Sequence, residues 1–419
     1  MARILLATIG SLGDLHPALA LALELRRRGH RAEIATTELY REKITALGLP
    51  FHPLPPEVAV GDGTFVRQFM EGRGASKFLL RELLFPAVPA MYDALSVAAA
   101  GADLLVSSEI VYAAPILAEK TGLRWVSYSL APVSLFSIHD PSLLPGPPGT
   151  RLLQSLGPGA NRLLRCAAGV VTWRWWQPVR RLRRELGLPP GRSPLFDGKY
   201  SPRLDLALFS PALQPPQPDW PAQTAQCGFP FYEEADTTGA KLPAAVETFL
   251  AAGTPPVVFT LGSAAVLLAD DFFTESARAA QRLGRRALLL LGQNPPPPGL
   301  PPTIFAWDYL PYAQIFPRAA AIVHQGGVGT TAQALRAGRP MLVVPFAHDQ
   351  PDNAARVMRL GVARTLARGR YRAKRVAREL AALLGDPAVA EKSAAIGAQV
   401  HAEHGVAAAC DALERVLSA

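Results

Sequence analysis

"AAAIVHQGGVGTTAQALRAGRPMLVVP", residues Ala319–Pro345, contains a strand, a glycine-rich turn, a helix and a second strand in succession. The apolar runs Ala319–His324 and Pro340–Pro345 have the length and composition of buried strands. The residues from about Val328 to Ala337 predict a helix between them. Strand, helix and strand in this order form the repeating unit of a parallel sheet covered by helices, so this stretch predicts an α/β fold.

The same alternation occurs on both sides of this stretch. Near the start, Arg3–Ile9 and Arg31–Thr37 predict strands, and the helix between them carries Pro17 in a first-turn position and Gly29 after its basic last turn. The two series predict two doubly wound, Rossmann-like halves that face each other across a cleft. Clefts between domains are common sites for small molecules.

Proline marks the transition between the halves. The stretch "SPALQPPQPDWP" (Ser210–Pro221) cannot hold a helix or a central strand. We therefore predict an N-terminal domain at 1–225, a C-terminal domain at 226–395 and a separate helical end at 396–419.

The charge of the chain indicates an affinity for anions. The net charge is +9, and 36 of the 43 basic residues are Arg. This excess is either a compositional bias or an attraction to phosphates and acidic membrane surfaces. No block of like charges resembles a nucleic-acid-binding tail, so no nucleic-acid partner is expected.

One aromatic and basic stretch leaves two interpretations open. Val170–Leu186 holds three Trp and five Arg. It could lie on a membrane surface as a basic amphipathic segment. Alternatively, its aromatic residues face the core and its arginines face water.

The cysteines and the apolar runs indicate a cytoplasmic protein. Cys166, Cys227 and Cys410 are far apart, with neither metal-ligand spacing nor an even number for disulfides. The apolar run Ile4–Ile9 is too short for a signal-peptide core. No run of eighteen apolar residues predicts a membrane-spanning helix.

The glycine-rich turn has the chemistry of a phosphate site. Glycines let the backbone approach a ligand closely, and the free N–H groups and positive dipole end of the following helix attract phosphate. The imidazole and the hydroxyls add donors, and the imidazole charge can follow that of the phosphate. The candidate residues are His324, Gly326, Gly327, Val328, Gly329, Thr330 and Thr331. Since no carboxylate cluster suggests a Mg²⁺ site, a diphosphate here would rely on these groups and on no metal.

Asp349 and Gln350 follow the next strand at the same sheet edge. A carboxylate and an amide side by side can bind neighbouring sugar hydroxyls. In the alternative interpretation, Asp349 only caps the helix Pro351–Leu360.

In combination, these motifs resemble the donor-binding signature of the inverting family 1 glycosyltransferases of the GT-B fold, above all the bacterial antibiotic and sterol enzymes. The resemblance extends to "YLPYAQIFPRAAAIVH" (Tyr309–His324), "VVFTLGS" (Val257–Ser263) and "GSLGDLHP" (Gly10–Pro17). It implies an N-terminal acceptor domain, a C-terminal nucleotide-sugar domain and a C-terminal helix that packs back on the first. By the same resemblance, Ser263 faces the donor, and Tyr309 stands near the position of a base-stacking Trp.

The resemblance also implies a catalytic base in "GSLGDLHP". An inverting transfer needs one general base, which takes the proton of the acceptor. Asp14 is the first candidate and His16 is the rival. Alternatively, Asp14 only caps the first helix. The second acid that orients the base in many relatives has Glu109 as its nearest acidic match. Alternatively, the aligned residue is Ser107 or Ser108, in which case Asp14 acts without an orienting partner.

The predicted function is the transfer of a hexose from a UDP- or TDP-sugar to a hydroxyl of an apolar acceptor, with inversion and without a cofactor or metal. Aromatic residues of Val66–Met91 (Phe69, Phe78, Phe85) could line the acceptor site or belong to the core. Two alternatives remain, a nucleotide-sugar epimerase or hydrolase and a binding protein without transfer activity. A dehydrogenase is disfavoured because "GSLGDL" lacks the third glycine of the dinucleotide fingerprint.

Overall fold

The computed structural model describes residues 1–57, 63–70, 74–143, 150–232 and 241–419. They form two compact units. The N-unit comprises Met1–Asp62, Arg73–Tyr232 and His404–Ala419, and the C-unit comprises Gly63–Gly72 and Glu233–Glu403. The predicted boundaries 225/226 and 395/396 differ from these, because the first falls inside an edge strand and the second falls inside a helix.

The N-unit has a parallel sheet that contains seven strands within the described residues, in the order β3-β2-β1-β4-β5-β6-β7. The strands are β1 Arg3–Ala7, β2 Arg31–Thr36, β3 Phe51–Pro53, β4 Leu104–Ser108, β5 Trp125–Ser129, β6 Asp205–Ala207 and β7 Thr224–Gln226. Every residue of β4 and β5 is buried, which explains why their sequences are mainly apolar runs rather than alternating patterns.

The C-unit has a second parallel sheet, with six strands in the described part of the chain, in the order β10-β9-β8-β11-β12-β13. The strands are β8 Val257–Phe259, β9 Ala287–Leu290, β10 Ile304–Trp307, β11 Ala321–His324, β12 Met341–Val343 and β13 Ala363–Thr365. The predicted α/β class with two parallel sheets is therefore confirmed.

Helices connect the strands. Those described in the N-unit are Leu12–Arg27, Arg41–Ala46, Ala75–Phe78, Phe85–Ala98, Ala114–Thr121, Thr150–Gln154, Pro158–Thr172, Gln177–Glu185 and Gly405–Ser418, with a π-helical turn at Leu79–Leu84. Those described in the C-unit are Gly63–Met70, Ala244–Ala251, Gly262–Ala265, Phe272–Leu283, Tyr312–Ile315, Val328–Arg336, Gln350–Arg359, Ala373–Leu384 and Pro387–His401. Short 3₁₀ turns lie at Glu38–Tyr40, Pro132–Leu135, Val266–Leu268, Phe316–Arg318 and Arg368–Arg370.

The first helix begins earlier than predicted. Ser11 is its N-cap, so Pro17 lies inside the helix Leu12–Arg27 and not in its first turn. The reason is a capping box, in which the Ser11 side chain accepts the N–H of Gly13 while Asp14 accepts the N–H of Ser11. This reciprocal cap satisfies two free N–H groups, and it fixes the helix start before the proline is reached.

The last helix, Gly405–Ser418, belongs to the N-unit. Cys410 and Leu413 are fully buried on it, in the cluster that covers one face of the N-unit sheet. Arg28, at the end of the first helix, makes ion pairs with Asp411 and Glu414. The final turns of the chain thus complete the core of the unit that holds its first strand.

The aromatic residues predicted around Val66–Met91 divide between the units. Phe85 is fully buried in the N-unit core, Phe78 is half-buried, and Phe69 packs against the C-unit core. Phe69 belongs to the C-unit because Gly63–Met70 is part of it, although this segment precedes most of the N-unit in the chain. The core alternative therefore holds for Phe85.

No helix in the described part of the chain is long and apolar enough to cross a membrane.

Candidate functional site

In the C-unit sheet, the chain adds strands on one side of β8 up to β10 and then continues on the other side with β11, which is adjacent and parallel to β8. The order of the strands therefore reverses between β8 and β11. Ligands of open α/β sheets bind at such a switch point, outside the carboxyl ends of the strands. The segments that leave these two ends touch each other. Gly262 has φ +64°, and a Cβ there would lie 2.3 Å from Nε2 of Gln325. Hence the short helix Gly262–Ala265, which carries the exposed Ser263, packs closely against Gln325 at the start of the glycine-rich turn.

The turn itself requires glycine at Gly326. Its φ is +90°, and a Cβ would lie 2.7 Å from Cγ1 of Val343 and 3.2 Å from the carbonyl of Gln350. Gly329 differs, because a Cβ there would have no neighbour within 4 Å. The fold therefore explains Gly326, whereas the space beside Gly329 is open to a ligand.

His324 ends β11 and is fully buried. Its Nδ1 accepts the N–H of Gly326 at 3.1 Å, so the neutral ring carries its proton on Nε2. That Nε2 has no hydrogen-bond partner among the described residues. Burial lowers the pKa of His324 to about 3, so the imidazole is neutral at pH 7. The expectation that its charge follows that of a phosphate is therefore wrong for the free protein, and His324 offers a neutral donor.

The helix Val328–Arg336 begins at this turn. Its N-cap is Gly327, which supplies no capping side chain. Thr330 and Thr331 are buried in the first turn, and Oγ1 of Thr331 has no partner in the described part of the chain. The start of this helix therefore combines free N–H groups with an unsatisfied hydroxyl.

Asp349 occupies the N-cap position of Gln350–Arg359 but makes no side-chain cap to that helix. Its Oδ2 accepts the N–H of Val328 at 3.1 Å and the side-chain amide of Asn353 at 2.7 Å. The carboxylate thus caps the helix that follows the glycine-rich turn. Burial raises the pKa of Asp349 to about 6, against the effect of these donors.

The side-chain amide oxygen of Gln350 is already hydrogen-bonded within the protein. Its Oε1 accepts the N–H groups of Phe346 and Ala347, at 2.8 and 3.2 Å. Only its NH₂ group remains for a sugar, so Gln350 can donate to a hydroxyl but not accept from it.

Two residues that contribute to this site were not predicted. Asn353 links the turn to the acid, donating to the carbonyl of Gly326 and to Asp349. Gln325 fills the space between Gly262 and Thr330. The spacing of Asn353, one helical turn after Asp349, was the available signal.

His348, directly before Asp349, holds a neighbouring segment in place. Its backbone is left-handed, with φ 56°, and its Nε2 donates to the carbonyl of Phe69 at 2.8 Å. Burial lowers the pKa of His348. The neutral ring therefore anchors the segment Gly63–Met70 to the C-unit.

Tyr309 lies at the edge of a pocket of about 550 Å³ that includes Gly292, Asn294 and Asp308. Its side chain is 52% exposed, and its ring is 6.5 Å from that of Tyr312. The Tyr312 hydroxyl is 2.8 Å from Oγ1 of Thr260, in the loop after β8. The exposed ring of Tyr309 thus lies beside this pocket, and Tyr312 connects it to the loop after β8 at the switch point.

The N-unit sheet has its own switch point, between β1 and β4. Asp14 follows β1, and its Oδ2 is held by the N–H of Ser11 at 2.8 Å. Asp14 therefore caps the first helix, as the capping interpretation predicted, and this hydrogen bond holds its carboxylate at the edge of the sheet. The ring of His16 lies 4.9 Å from that of Tyr232.

Glu109 follows β4 but pairs elsewhere. Its carboxylate bonds to the ammonium of Lys199 and the hydroxyl of Ser134. Glu109 is thus engaged by a lysine.

Groups of three or more His, Cys, Asp or Glu side chains arranged to hold a metal ion do not occur in the described residues.

Comparison with known proteins supplies the family. Residues 4–122 match the glycosyltransferase family 28 N-terminal domain, and residues 291–413 match the erythromycin biosynthesis protein CIII-like C-terminal domain. The chain is 34% identical to the O-mycaminosyltylonolide 6-deoxyallosyltransferase of Streptomyces fradiae, over 98% of this chain and 97% of that protein.

Solved structures share the fold along the whole chain. The glycotransferase of kitacinnamycin superposes with a TM-score of 0.75 at 24% identity, covering 99% of both chains. The spinosyn rhamnosyltransferase SpnG, complexed with thymidine diphosphate, superposes with a TM-score of 0.67 at 18% identity, covering 99% of this chain and 100% of that one.

Proposed function

The chain belongs to the natural-product glycosyltransferases of the GT-B fold, and we propose that it transfers a hexose, with inversion, from a UDP- or TDP-sugar to a hydroxyl of an apolar small molecule. In this proposal the C-unit binds the nucleotide sugar and the N-unit binds the acceptor. SpnG was solved with thymidine diphosphate, which supports a nucleoside diphosphate as the leaving group.

The observation that carries the proposal is the unsatisfied Nε2–H of His324. A buried donor without a partner destabilises the folded protein by about 1–3 kcal/mol. Such a donor in a native structure is explained when a bound ligand accepts its hydrogen bond. The donor lies at the turn that begins the helix Val328–Arg336, where the positive dipole end also attracts anions. A diphosphate satisfies both requirements.

The diphosphate is proposed to bind without a metal. Its negative charge would be balanced by the N–H groups of the helix N-terminus that follow Val328, by the Nε2–H of His324 and by the hydroxyl of Thr331. The N–H of Val328 itself is held by Asp349, whereas the other two side-chain atoms have no partner among the described residues. Tyr309 would stack on the base, and Ser263 would face the phosphates. Asp349 would accept from one sugar hydroxyl, and the NH₂ of Gln350 would donate to another.

The transfer then needs one proton acceptor. The acceptor oxygen forms a bond to the anomeric carbon while the bond from that carbon to the diphosphate oxygen breaks, and the diphosphate leaves with the electron pair. Asp14 takes the acceptor proton. Since the leaving group departs opposite the incoming oxygen, the anomeric centre is inverted. His16 is the second candidate for this base.

Substitution of His324 by Asn tests the donor site, because the Asn oxygen can replace Nδ1 as the acceptor for Gly326, whereas no donor reaches the position of Nε2. We expect H324N to bind TDP and UDP about 10–150-fold more weakly, which corresponds to the loss of a charge-assisted hydrogen bond worth about 1.5–3 kcal/mol. Isothermal calorimetry with both nucleotides measures the change. Because His324 is neutral, the loss measured with TDP-glucose should be the same at pH 5.5 and pH 8.

The control for H324N is S76A, which alters a side chain of the N-unit helix Ala75–Phe78. Unchanged nucleotide affinity in H324N, with a melting temperature equal to that of the wild type, would contradict the placement of the diphosphate. Nucleotide binding without transfer to any acceptor would favour the binding-protein alternative. Sugar release without an added acceptor would favour the hydrolase.

The affinity for the sugar part should depend on pH through Asp349. Its pKa of about 6 means that the carboxylate, the form that accepts from the sugar hydroxyl, predominates above pH 6 and is lost below it. We expect the Kd for TDP-glucose to rise as the pH falls from 7.5 to 5, and D349N to remove this dependence. The sugar nucleotide is the right probe, because the terminal phosphate of free TDP titrates near pH 6 itself. An identical pH profile in D349N would contradict the role.

A further inference from the structure

An apolar surface of the N-unit faces water. The helices Thr150–Gln154 and Pro158–Thr172, with the turn after them, expose large apolar side chains, which are Leu152, Leu153, Leu156, Leu163, Val170, Val171 and Trp173. Leu163 is 72% exposed and Val170 is 78% exposed. We call these seven residues the apolar surface. Exposed apolar groups are ordinary when single, but a contiguous set marks a binding surface.

The helix that carries this surface is packed firmly on its other side. Asn161 is buried and donates to the carbonyl of Ile138 at 2.8 Å, and Thr172 is also buried. Exposed positions along the helix recur at Leu163, Ala167 and Val170, three or four residues apart, which is the spacing of one helical face. The outward face of an anchored helix is therefore apolar, the reverse of the usual arrangement.

Trp173 is held in place at the end of this surface. The guanidinium of Arg180 lies 3.5 Å from the centre of its ring, and the ring of Trp176 meets it edge-on at 5.2 Å. Trp176 is buried in the N-unit core, whereas Trp173 is 49% exposed. The core interpretation of the aromatic and basic stretch therefore holds for Trp176, whereas Trp173 is exposed at the surface.

The stretch of chain that carries the apolar surface has charged residues of one sign. Residues 141–184 contain eight Arg, with neither Lys nor any Asp or Glu. Arg165 and Arg183 are paired with acids from other segments. The exposed ones include Arg162 and Arg174, at the two ends of the apolar helix face, and Arg181 and Arg184 on the next helix.

We propose that the apolar surface, with these arginines, binds the face of an anionic lipid bilayer. Interfacial helices combine apolar side chains, an aromatic residue and basic residues in this way, and anionic lipids attract arginines within a Debye length. A second copy of the chain fits less well. A twofold contact would place the same arginines opposite each other, and this stretch contains no acid to pair with them.

Vesicle flotation of the full chain tests the proposal. We expect the protein to float with vesicles of phosphatidylcholine mixed with phosphatidylglycerol and to stay in solution with pure phosphatidylcholine. V170D/V171D should reduce the floated fraction at least tenfold, because both side chains enter the apolar part of the interface. R162Q/R174Q/R181Q/R184Q should reduce the dependence on phosphatidylglycerol and on salt.

Matched variants separate this surface from general effects. V97D/L39D places the same charges on two exposed apolar positions of the N-unit outside the surface, where Val97 is 80% exposed. R203Q/R282Q/R285Q/R375Q removes the same charge from exposed arginines elsewhere. Both should float like the wild type, and all variants should keep the TDP affinity of the wild type.

Three outcomes would overturn the proposal. The wild type could fail to float with phosphatidylglycerol vesicles, V170D/V171D could float as well as V97D/L39D, or the wild type could be a dimer by light scattering that V170D/V171D dissociates. The last result would assign the surface to a second copy. None of them bears on the proposed sugar transfer, which is measured separately without lipid.

Discussion

D14N should lower kcat for transfer to a phenolic or sterol acceptor by about 10²–10⁴, the usual contribution of a general base. Asn has the shape of Asp, and its oxygen can still accept the N–H of Ser11, the bond that starts the first helix. The substitution therefore removes the proton acceptor and preserves the cap. Single-turnover kinetics with saturating donor measure the effect, and nucleotide affinity should not change.

Two further variants separate the base from the cap. S11A removes the hydroxyl that caps the helix, and it should cost about 0.5–2 kcal/mol of stability with little change in kcat. H16Q removes the rival base. If H16Q loses more activity than D14N while both keep the melting temperature of the wild type, the base is His16 and our assignment is wrong.

The dependence of activity on pH gives a second comparison. A general base works only in its deprotonated form, so activity rises as the pH passes the pKa of the base. For a carboxylate base this rise occurs at acidic pH, whereas for an imidazole base it occurs nearer to neutral pH. If D14N abolishes the rise of activity with pH, the proton acceptor is Asp14. This comparison does not depend on the size of the loss in kcat.

The site elements that sequence could predict are local. His324, the glycines and Thr331 are adjacent in the chain, and Gly326 owes its identity to the left-handed turn and to the contact with Val343. The strand–turn–helix order also means that the N-terminal end of the helix, with its positive dipole charge, lies at the turn. Because each of these features depends on a few consecutive residues, they could be predicted from the sequence.

What the sequence did not indicate depends on contacts between distant segments. Asp349 caps the helix that begins at Val328, 21 residues earlier, and not its own helix. Gly63–Met70 joins the C-unit through the contact between Phe69 and His348, 279 residues apart. The raised pKa of Asp349 comes from burial, which a pattern of residue types does not show. Tertiary packing decides such features, whereas local propensity does not.

The second large effect concerns stability. Arg356 and Asp352 form an ion pair at 2.7 Å within the helix Gln350–Arg359, and their side chains are only 1% and 2% exposed. D352N removes the Asp352 carboxylate from a buried guanidinium, and breaking such a buried ion pair costs about 3–5 kcal/mol. The same helix carries Gln350 and Asn353, whose side chains hold the loop and the turn of the donor site. We therefore expect a lower melting temperature together with weaker nucleotide binding.

A double substitution distinguishes a buried charge from lost packing. D352N/R356M removes both charges and keeps an apolar side chain of similar length, so it should recover most of the lost stability, since buried pairs replaced by apolar groups are often neutral or better. E247Q, which breaks the exposed pair with Arg318, should cost no more than about 1 kcal/mol. Because the chain has two units, unfolding must be followed by calorimetry with and without TDP, which assigns the affected transition to the unit that binds the nucleotide. A D352N protein that melts with the wild type would show that this pair does not stabilise the helix that holds the donor site.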